Sequence, residues 1–425
     1  MKSINQASIK GGAITKSITQ RIASNFGWSV VSEAIGKGAF FVTNIYLART
    51  LGVESFGLFT LAQTITFYFW LAVDLGTNMY GVREIAKNKE HVEEIINPLL
   101  TLRMTAGFIV FSLYALSLVI LHIPDTKRLI FAGCGLYLLT YAFYTDWVLK
   151  GLERFKFIAF GSLVSSIIFL VGTFYFVTAK EDVILASFIW SLSYLFGSLS
   201  LFYCLCRKLE IKYRPYFNFE IWFWHIRESI YFTISGSLMV LYQYFPILLL
   251  SIFYTTYEVG LFAAPYRVVT TICGAGFLLP MAFYPVFSEL YQKNKVEFSR
   301  IQRNFRRFMV GIGCIAAILG LIFSGEAMRF LFGKQYGSSI GIFRIAIFLV
   351  PLNFLRYTYG TLLQAAGFQR YHIIGALCGL VSMLVSGLPL IIWKSTLGAA
   401  VSLIVSEAFM ITSFFTLSNY VFRRT

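Results

Sequence analysis

Charge is scarce in this 425-residue chain. Asp, Glu, Lys and Arg supply 13% of it, about half the ~25% of an ordinary soluble domain. With 57% hydrophobic residues and a mean hydropathy of +0.71, that scarcity excludes a water-soluble fold and a disordered chain. Histidine is scarcer still. His91, His122, His225 and His372 are the whole supply, and none sits in a His-Glu-x-x-His pattern. The six cysteines fall in or beside apolar runs, and Cys204-x-Cys206 has no second Cys or His pair nearby. A zinc site and a disulfide scaffold are therefore not expected, and the cysteines read as small packing residues. No Gly-x4-Gly-Lys-Ser/Thr phosphate loop and no serine elbow occurs, so neither direct ATP coupling nor acyl-enzyme chemistry is expected. The connecting segments are too short to hold a sugar between paired carboxylates. No enzyme, metal or cofactor is read here. Lys and Arg outnumber Asp and Glu by 36 to 20, a net charge of +16. These cations are diluted among apolar runs rather than gathered on a polar domain, so nucleic acid is not the partner.

What is present is a succession of apolar runs about 20 residues or longer, the length of membrane-crossing helices and not of barrel strands. The expected class is an all-α integral membrane protein with about twelve spans. They are read at roughly 26–50, 56–80, 98–122, 129–149, 157–179, 183–206, 229–254, 260–288, 308–332, 340–366, 373–393 and 397–421. With the N-terminus in the cytoplasm, roughly 24 Lys/Arg lie in cytoplasmic stretches and about 6 in outer loops, a strong positive-inside bias. That alternation also requires an even number of spans, so both termini are expected to be cytoplasmic. No removable signal peptide is read in the basic opening. The net charge then reflects topology and contact with anionic lipids.

Two echoes divide the chain. Glu54-Ser-Phe-Gly57-Leu-Phe59 is answered by Glu258-Val-Gly260-Leu-Phe262, and Gly151-Leu-Glu-Arg154 by Gly367-Phe-Gln-Arg370. Both repeat after about half the chain and in the same order, which predicts two six-helix units of like orientation. The expected layout is a basic segment 1–25, an N-lobe 26–206, a linker 207–228, a C-lobe 229–421 and a tail 422–425. The linker, with Phe219, Trp222, Phe223 and Trp224 beside Arg214 and Arg227, reads as an interfacial amphipathic anchor.

Ionisable groups inside spans cost several kcal/mol unless they face a partner or a wet cavity, so each is a candidate. Glu33 and Lys37, spaced i,i+4, form a self-neutralising pair or line a cavity. Arg267 follows Pro265 and Arg356 follows Pro351, and both are expected to line a cavity. Arg344 lines it or snorkels, while Arg103 and Arg329 are expected to snorkel. Asp74 caps or pairs across helices, and Asp146 pairs with Arg154 or Lys150. Glu407 has no cation at i±4, so it is protonated, paired with another helix, or a proton carrier. Fixed cations in a bundle make a chamber that attracts an anionic group, and phosphate is the natural guest. The substrate-binding set is thus Lys37, Arg267, Arg356 and Arg344. Glu33, Asp74 and Glu407 are candidates for a cavity pair or for H+ or Na+ coupling. Prolines in the spans supply either hinges or static bends.

Ala48-Arg49-Thr-Leu-Gly52-Val-Glu54-Ser-Phe-Gly57, Asp74-Leu-Gly76, Arg83-Glu84-Ile-Ala86-Lys87, Asp146-Trp147 through Phe155, Glu258-Val-Gly260-Leu-Phe262 and Leu331-Phe332-Gly333-Lys-Gln-Tyr336 follow in order along this topology. In that order the chain resembles the polysaccharide-unit, Wzx-like O-antigen flippases. These belong to the multidrug/oligosaccharidyl-lipid/polysaccharide exporter superfamily. The resemblance implies a V-shaped, MATE-like pair of bundles around a central cavity. It implies a flippase in the bacterial inner membrane, working with polysaccharide-assembly proteins and read as a monomer. The cargo it implies is an undecaprenyl-pyrophosphate-linked oligosaccharide, moved to the periplasmic leaflet. Lys37 and Arg267 match positions where such flippases place cations. The alternative is an H+ or Na+ coupled small-molecule exporter. A membrane enzyme of glycan assembly is the remaining reading.

Overall fold

The computed structural model describes the backbone of residues 2–424. Side chains are described from 36 to 420, apart from Ser235, Pro285 and Gln369. Glu33, the basic side chains of segment 1–25 and the tail 422–425 lie outside the described side chains.

Every long element is a helix, as apolar runs without water to satisfy the backbone require. α1 (Lys2–Asp74) breaks at Gly52, whose φ of 75° and ψ of 175° are open to glycine. α2 (Thr77–Lys87), α3 (Val92–Ile120), α4 (Asp125–Ala142), α5 (Asp146–Gly151), α6 (Phe155–Phe176) and α7 (Val183–Tyr203) complete the first half. The second half holds α8 (Phe219–Phe253), α9 (Thr256–Lys293), α10 (Lys295–Ile322), α11 (Ser324–Phe332), α12 (Ser339–Ala346), α13 (Leu349–Ala365) and α14 (Gln369–Arg424). α14 folds at Ser395, with φ 49°. Ten continuous segments of the described residues are long and apolar enough to cross a membrane. The first and last of them, Gly36–Lys87 and Arg370–Tyr420, each turn back at Gly52 or Ser395, so twelve passes result.

The passes form two like-oriented bundles in a V. The sequence echo pairs Gly151 with Gly367, but the backbone pairs Glu153 with Gly367. Glu153 (φ 58°) and Gly367 (φ 86°) occupy the same left-handed place in matching turns. Arg154 N donates to Leu149 O at 2.8 Å in one turn, and Phe368 N to Leu363 O at 2.8 Å in the other. The two turns thus share one backbone hydrogen-bond geometry although their side chains differ.

α8 starts at Phe219, and the extended strap before it lies along α3. Lys212 N donates to Glu93 Oε1 (2.8 Å), Arg214 N to Asn97 Oδ1 (2.9 Å) and Tyr216 N to Thr101 Oγ1 (3.0 Å). The first half of α8 packs on the first bundle, not the second. Ser229 Oγ donates to Leu75 O (2.8 Å), and the Tyr80 hydroxyl meets His225 Nδ1 at 3.1 Å. Burial there pushes the His225 imidazole down to about 4, so it stays neutral near pH 7. The second half of α8 packs on α14, so this helix belongs to both bundles in turn. Trp222 is buried in the first contact while Phe219, Phe223 and Trp224 are exposed, which leaves three of the four aromatics for a lipid interface.

Candidate functional site

Where the bundles diverge they enclose a cavity of about 410 Å³ walled by α1, α6, α7, α8 and α9, with Tyr144 from the α4–α5 turn. Lys37 and Arg267 both line it, on α1 and α9 respectively. The sequence reading placed these two cations in one chamber, and the fold brings them there. Lys37 is exposed at its margin, and a Cβ on Gly274 of α9 would lie 3.5 Å from its Nζ. Among the described lining residues there is no carboxylate.

The rest of the wall is neutral and polar, with aromatic interruptions. Its hydroxyls are Thr60, Thr64, Ser162, Ser165, Ser166, Ser193, Thr270 and Thr271, and its amides are Asn44, Gln63 and Gln243. Several hydroxyls donate backwards within their own helices. Thr64 Oγ1 donates to Thr60 O (2.9 Å), Thr271 Oγ1 to Arg267 O (2.7 Å) and Ser165 Oγ to Gly161 O (3.1 Å). Such a hydroxyl is satisfied in the empty cavity and keeps lone pairs to accept from a guest. Phe40, Phe41, Phe67, Phe169, Tyr194, Tyr244 and Tyr266 alternate with these groups, and Phe67 stacks on Tyr244 across the two bundles at 5.1 Å. Two cations, many acceptors and flat apolar faces together suit a guest that is anionic at one end and rich in hydroxyls at the other. The neutral groups were not legible in the sequence, because Ser, Thr and Gln in an apolar helix carry no signal of the face they occupy.

Arg267 is half-buried and makes its contacts across the V. Its Nη2 donates to Gln63 Oε1 (2.6 Å) and lies 3.4 Å from Thr60 Oγ1. Phe40 and Phe56 flank the guanidinium, with centroids at 5.4 and 5.6 Å.

Beyond Arg267 the bundles close on each other through the first echo itself. A Cβ on Gly57 would lie 1.8 Å from Thr256 O, and one on Gly260 would lie 2.0 Å from Val53 O. The two Gly-Leu-Phe units meet reciprocally, each glycine admitting the backbone of the other repeat. Gln335 Nε2 donates to Ala48 O (3.2 Å) and Arg49 O (3.1 Å), and the Tyr336 hydroxyl to Ala48 O (3.2 Å), reinforcing that seam.

The other candidates go elsewhere. Arg356 does not line the cavity. It is buried inside the second bundle, with Nε donating to Glu407 Oε1 at 2.5 Å and Nη2 to Asn353 Oδ1 at 2.6 Å. Glu407 is therefore paired with another helix, and Tyr242 also donates to it at 2.8 Å. Arg344 is exposed, its Nε donating to Ser324 Oγ at 2.8 Å, away from the cavity. Asp74 pairs across helices with Arg103, Oδ1 to Nη1 at 3.7 Å, rather than facing the cavity. Arg103 does not snorkel. It is 0% exposed, with Tyr141 and Trp147 rings at 5.1 and 5.9 Å. Asp146 pairs with Lys150 at 2.5 Å. Depth in the membrane was readable from the sequence, but the neighbour that each charge meets was not. Glu33, the proposed partner of Lys37, lies outside the described side chains.

Comparison with known proteins gives the fold and the lineage. A family model described as polysaccharide biosynthesis protein matches residues 22–291. A candidate O-antigen transporter of Shigella dysenteriae is 24% identical over 383 residues, covering 87% of this chain and 93% of its own length. A multidrug resistance MATE family transporter of the MOP superfamily, solved facing inward, matches with a TM-score of 0.73 at 14% identity, over 92% of this chain and 96% of its own. The lipid II flippase MurJ, in an inward closed conformation, matches at 0.71 and 12% identity, over 92% and 87%.

Proposed function

We propose that this chain, which belongs to the polysaccharide biosynthesis protein family of the MOP (MATE-like) superfamily, carries a polar substrate across the membrane by alternating access. The family and the fold are those of transport and not of catalysis. The fold is shared with a multidrug resistance MATE family transporter and with a lipid II flippase, so a small-molecule exporter is the second reading. One observation favours a glycan carrier instead. The cavity presents Lys37 and Arg267 and, among its described lining residues, no carboxylate. Arg267, held by neutral acceptors, repels a cationic drug and attracts a diphosphate, and the hydroxyl-rich wall accepts from sugars. The finer reading is therefore a flippase for an undecaprenyl-pyrophosphate-linked oligosaccharide, with the head group in the cavity and the lipid tail in the bilayer.

In this reading the termini are cytoplasmic, the Gly57–Gly260 seam faces the periplasm, and the cavity loads from the cytoplasm. Coupling to H+ or Na+ would have to act at intramembrane acids. The described intramembrane acids Asp74 and Glu407 are already ion-paired, so a coupling ion would have to displace an arginine. Transport that persists when either gradient is collapsed would remove coupling.

The test is leaflet-resolved. Cells depleted of this protein are expected to accumulate complete lipid-linked repeat units on the cytoplasmic face and to lose surface polysaccharide. Arg267→Met and Lys37→Met, at normal protein levels, are each expected to slow flipping at least ~10-fold, the loss of one charge-assisted contact of about 1.4 kcal/mol or more. Normal delivery to the periplasmic leaflet, with new drug sensitivity, would replace this reading with the exporter.

A further inference from the structure

Arg267 rises from α9 in the second bundle, but both of its hydrogen-bond acceptors belong to α1 in the first. Gln63 and Thr60 are neutral, and no carboxylate forms an ion pair with Arg267 among the described residues. Its Nε and the Nε2 of Gln63 are buried without partners. Thr60 and Gln63 continue the stretch of α1 that carries Gly57, so this bond lies on the cavity side of the seam and ties the same two helices. An arginine held by neutral acceptors can be won by an anion, because an anion adds the attraction of a full opposite charge to the hydrogen bond, where Gln63 and Thr60 offer only dipoles.

We propose that the Gln63–Arg267 bond is a latch that anionic cargo releases. It rests on the anionic head group argued above. When phosphate oxygens enter the cavity they take the guanidinium from Gln63 and Thr60, and the seam beyond loses its tie. In the closed state the anion must compete with Gln63, whereas in the parted state it need not. The cargo therefore binds the parted state more tightly, which is the differential affinity a ligand needs to shift a conformational equilibrium. Gln63 is a positioning residue in this scheme. Its neutrality is what matters, since a carboxylate there would hold Arg267 permanently.

The test uses the full purified chain with its native cysteines replaced by serine and Val53→Cys as a reporter in the seam. Alkylation by a hydrophilic maleimide reads seam opening, and inorganic pyrophosphate is the probe. In the otherwise unaltered chain pyrophosphate is expected to raise alkylation about tenfold, the effect of about 1.4 kcal/mol of differential binding. Gln63→Glu is expected to abolish that rise, and Gln63→Leu to give it without pyrophosphate. Pyrophosphate that binds in calorimetry yet leaves alkylation equal in all three proteins would overturn the latch and leave the anionic reading standing. Opening by Gln63→Leu in a chain that does not bind pyrophosphate would overturn the anionic reading and cargo release with it.

Discussion

Arg356→Met, made with Glu407 left in place, is expected to destabilise the second bundle by about 3–5 kcal/mol, the cost of stranding one charge of a buried pair. The pair joins α13 to α14, and Tyr242 brings α8 to the same carboxylate. Glu407 is 0% and Arg356 7% exposed, so water cannot replace a lost partner. Glu407→Gln alone is expected to cost a similar amount, because the guanidinium is then unneutralised. The double variant Arg356→Met/Glu407→Gln is expected to recover most of the loss. It buries no charge, and the glutamine still accepts from Tyr242. The apparent melting temperature of the detergent-solubilised protein, followed around the double-mutant cycle, measures this coupling. Arg356→Met that melts normally but fails to transport would show instead that the pair acts on cargo.

Gly57→Val is expected to reduce transport by at least ~10-fold in a protein that still folds and inserts, since a cost above about 1.4 kcal/mol to one required state suffices. A Cβ at 57 would sit 1.8 Å from the Thr256 carbonyl oxygen, and that obstacle is helix backbone rather than a side chain that can turn away. The bundles must then part where they should close. Gly260→Val is expected to do the same from the other side, because its Cβ meets Val53 O. The double variant should be little worse than either single one, since each alone holds open the same seam. Alkylation of Val53→Cys should be high in all three and insensitive to pyrophosphate. Gly57→Val with wild-type flipping would show that α1 and α9 slide to absorb the side chain.

The membrane class and the pass count were legible because they depend on run length and on where Lys and Arg stop. Ten apolar segments with two internal breaks come to twelve passes, an even number as the alternation of charge requires. The break at Gly52 falls in the 51–55 gap read between the first two spans, and the backbone fixes it at the glycine, whose φ is 75°. Lys37 and Arg267 were legible because a cation deep in a span has few destinations. Arg356 looked the same at that level and went elsewhere, and the difference lies in Glu407, far along the chain on another helix. Arg103 was read as snorkelling, but Tyr141, Trp147 and Asp74 enclose it.

The sequence by itself determined what must be buried in lipid, that the cations gather in alternate connecting stretches, and that two short motifs recur in the same order half a chain apart. These are one-dimensional properties, set by hydropathy, charge and repetition. Only the tertiary structure decided which charges meet one another and which line the cavity. Only it showed that the two glycine echoes touch, and that the first half of α8 packs with the opposite bundle. A helix shows its full circumference in its sequence, and only packing against neighbours selects the face that becomes seam, cavity or lipid surface. Arg267 is held by Gln63 and Arg356 by Glu407 for that reason, and the first lines the cavity while the second lies inside its own bundle.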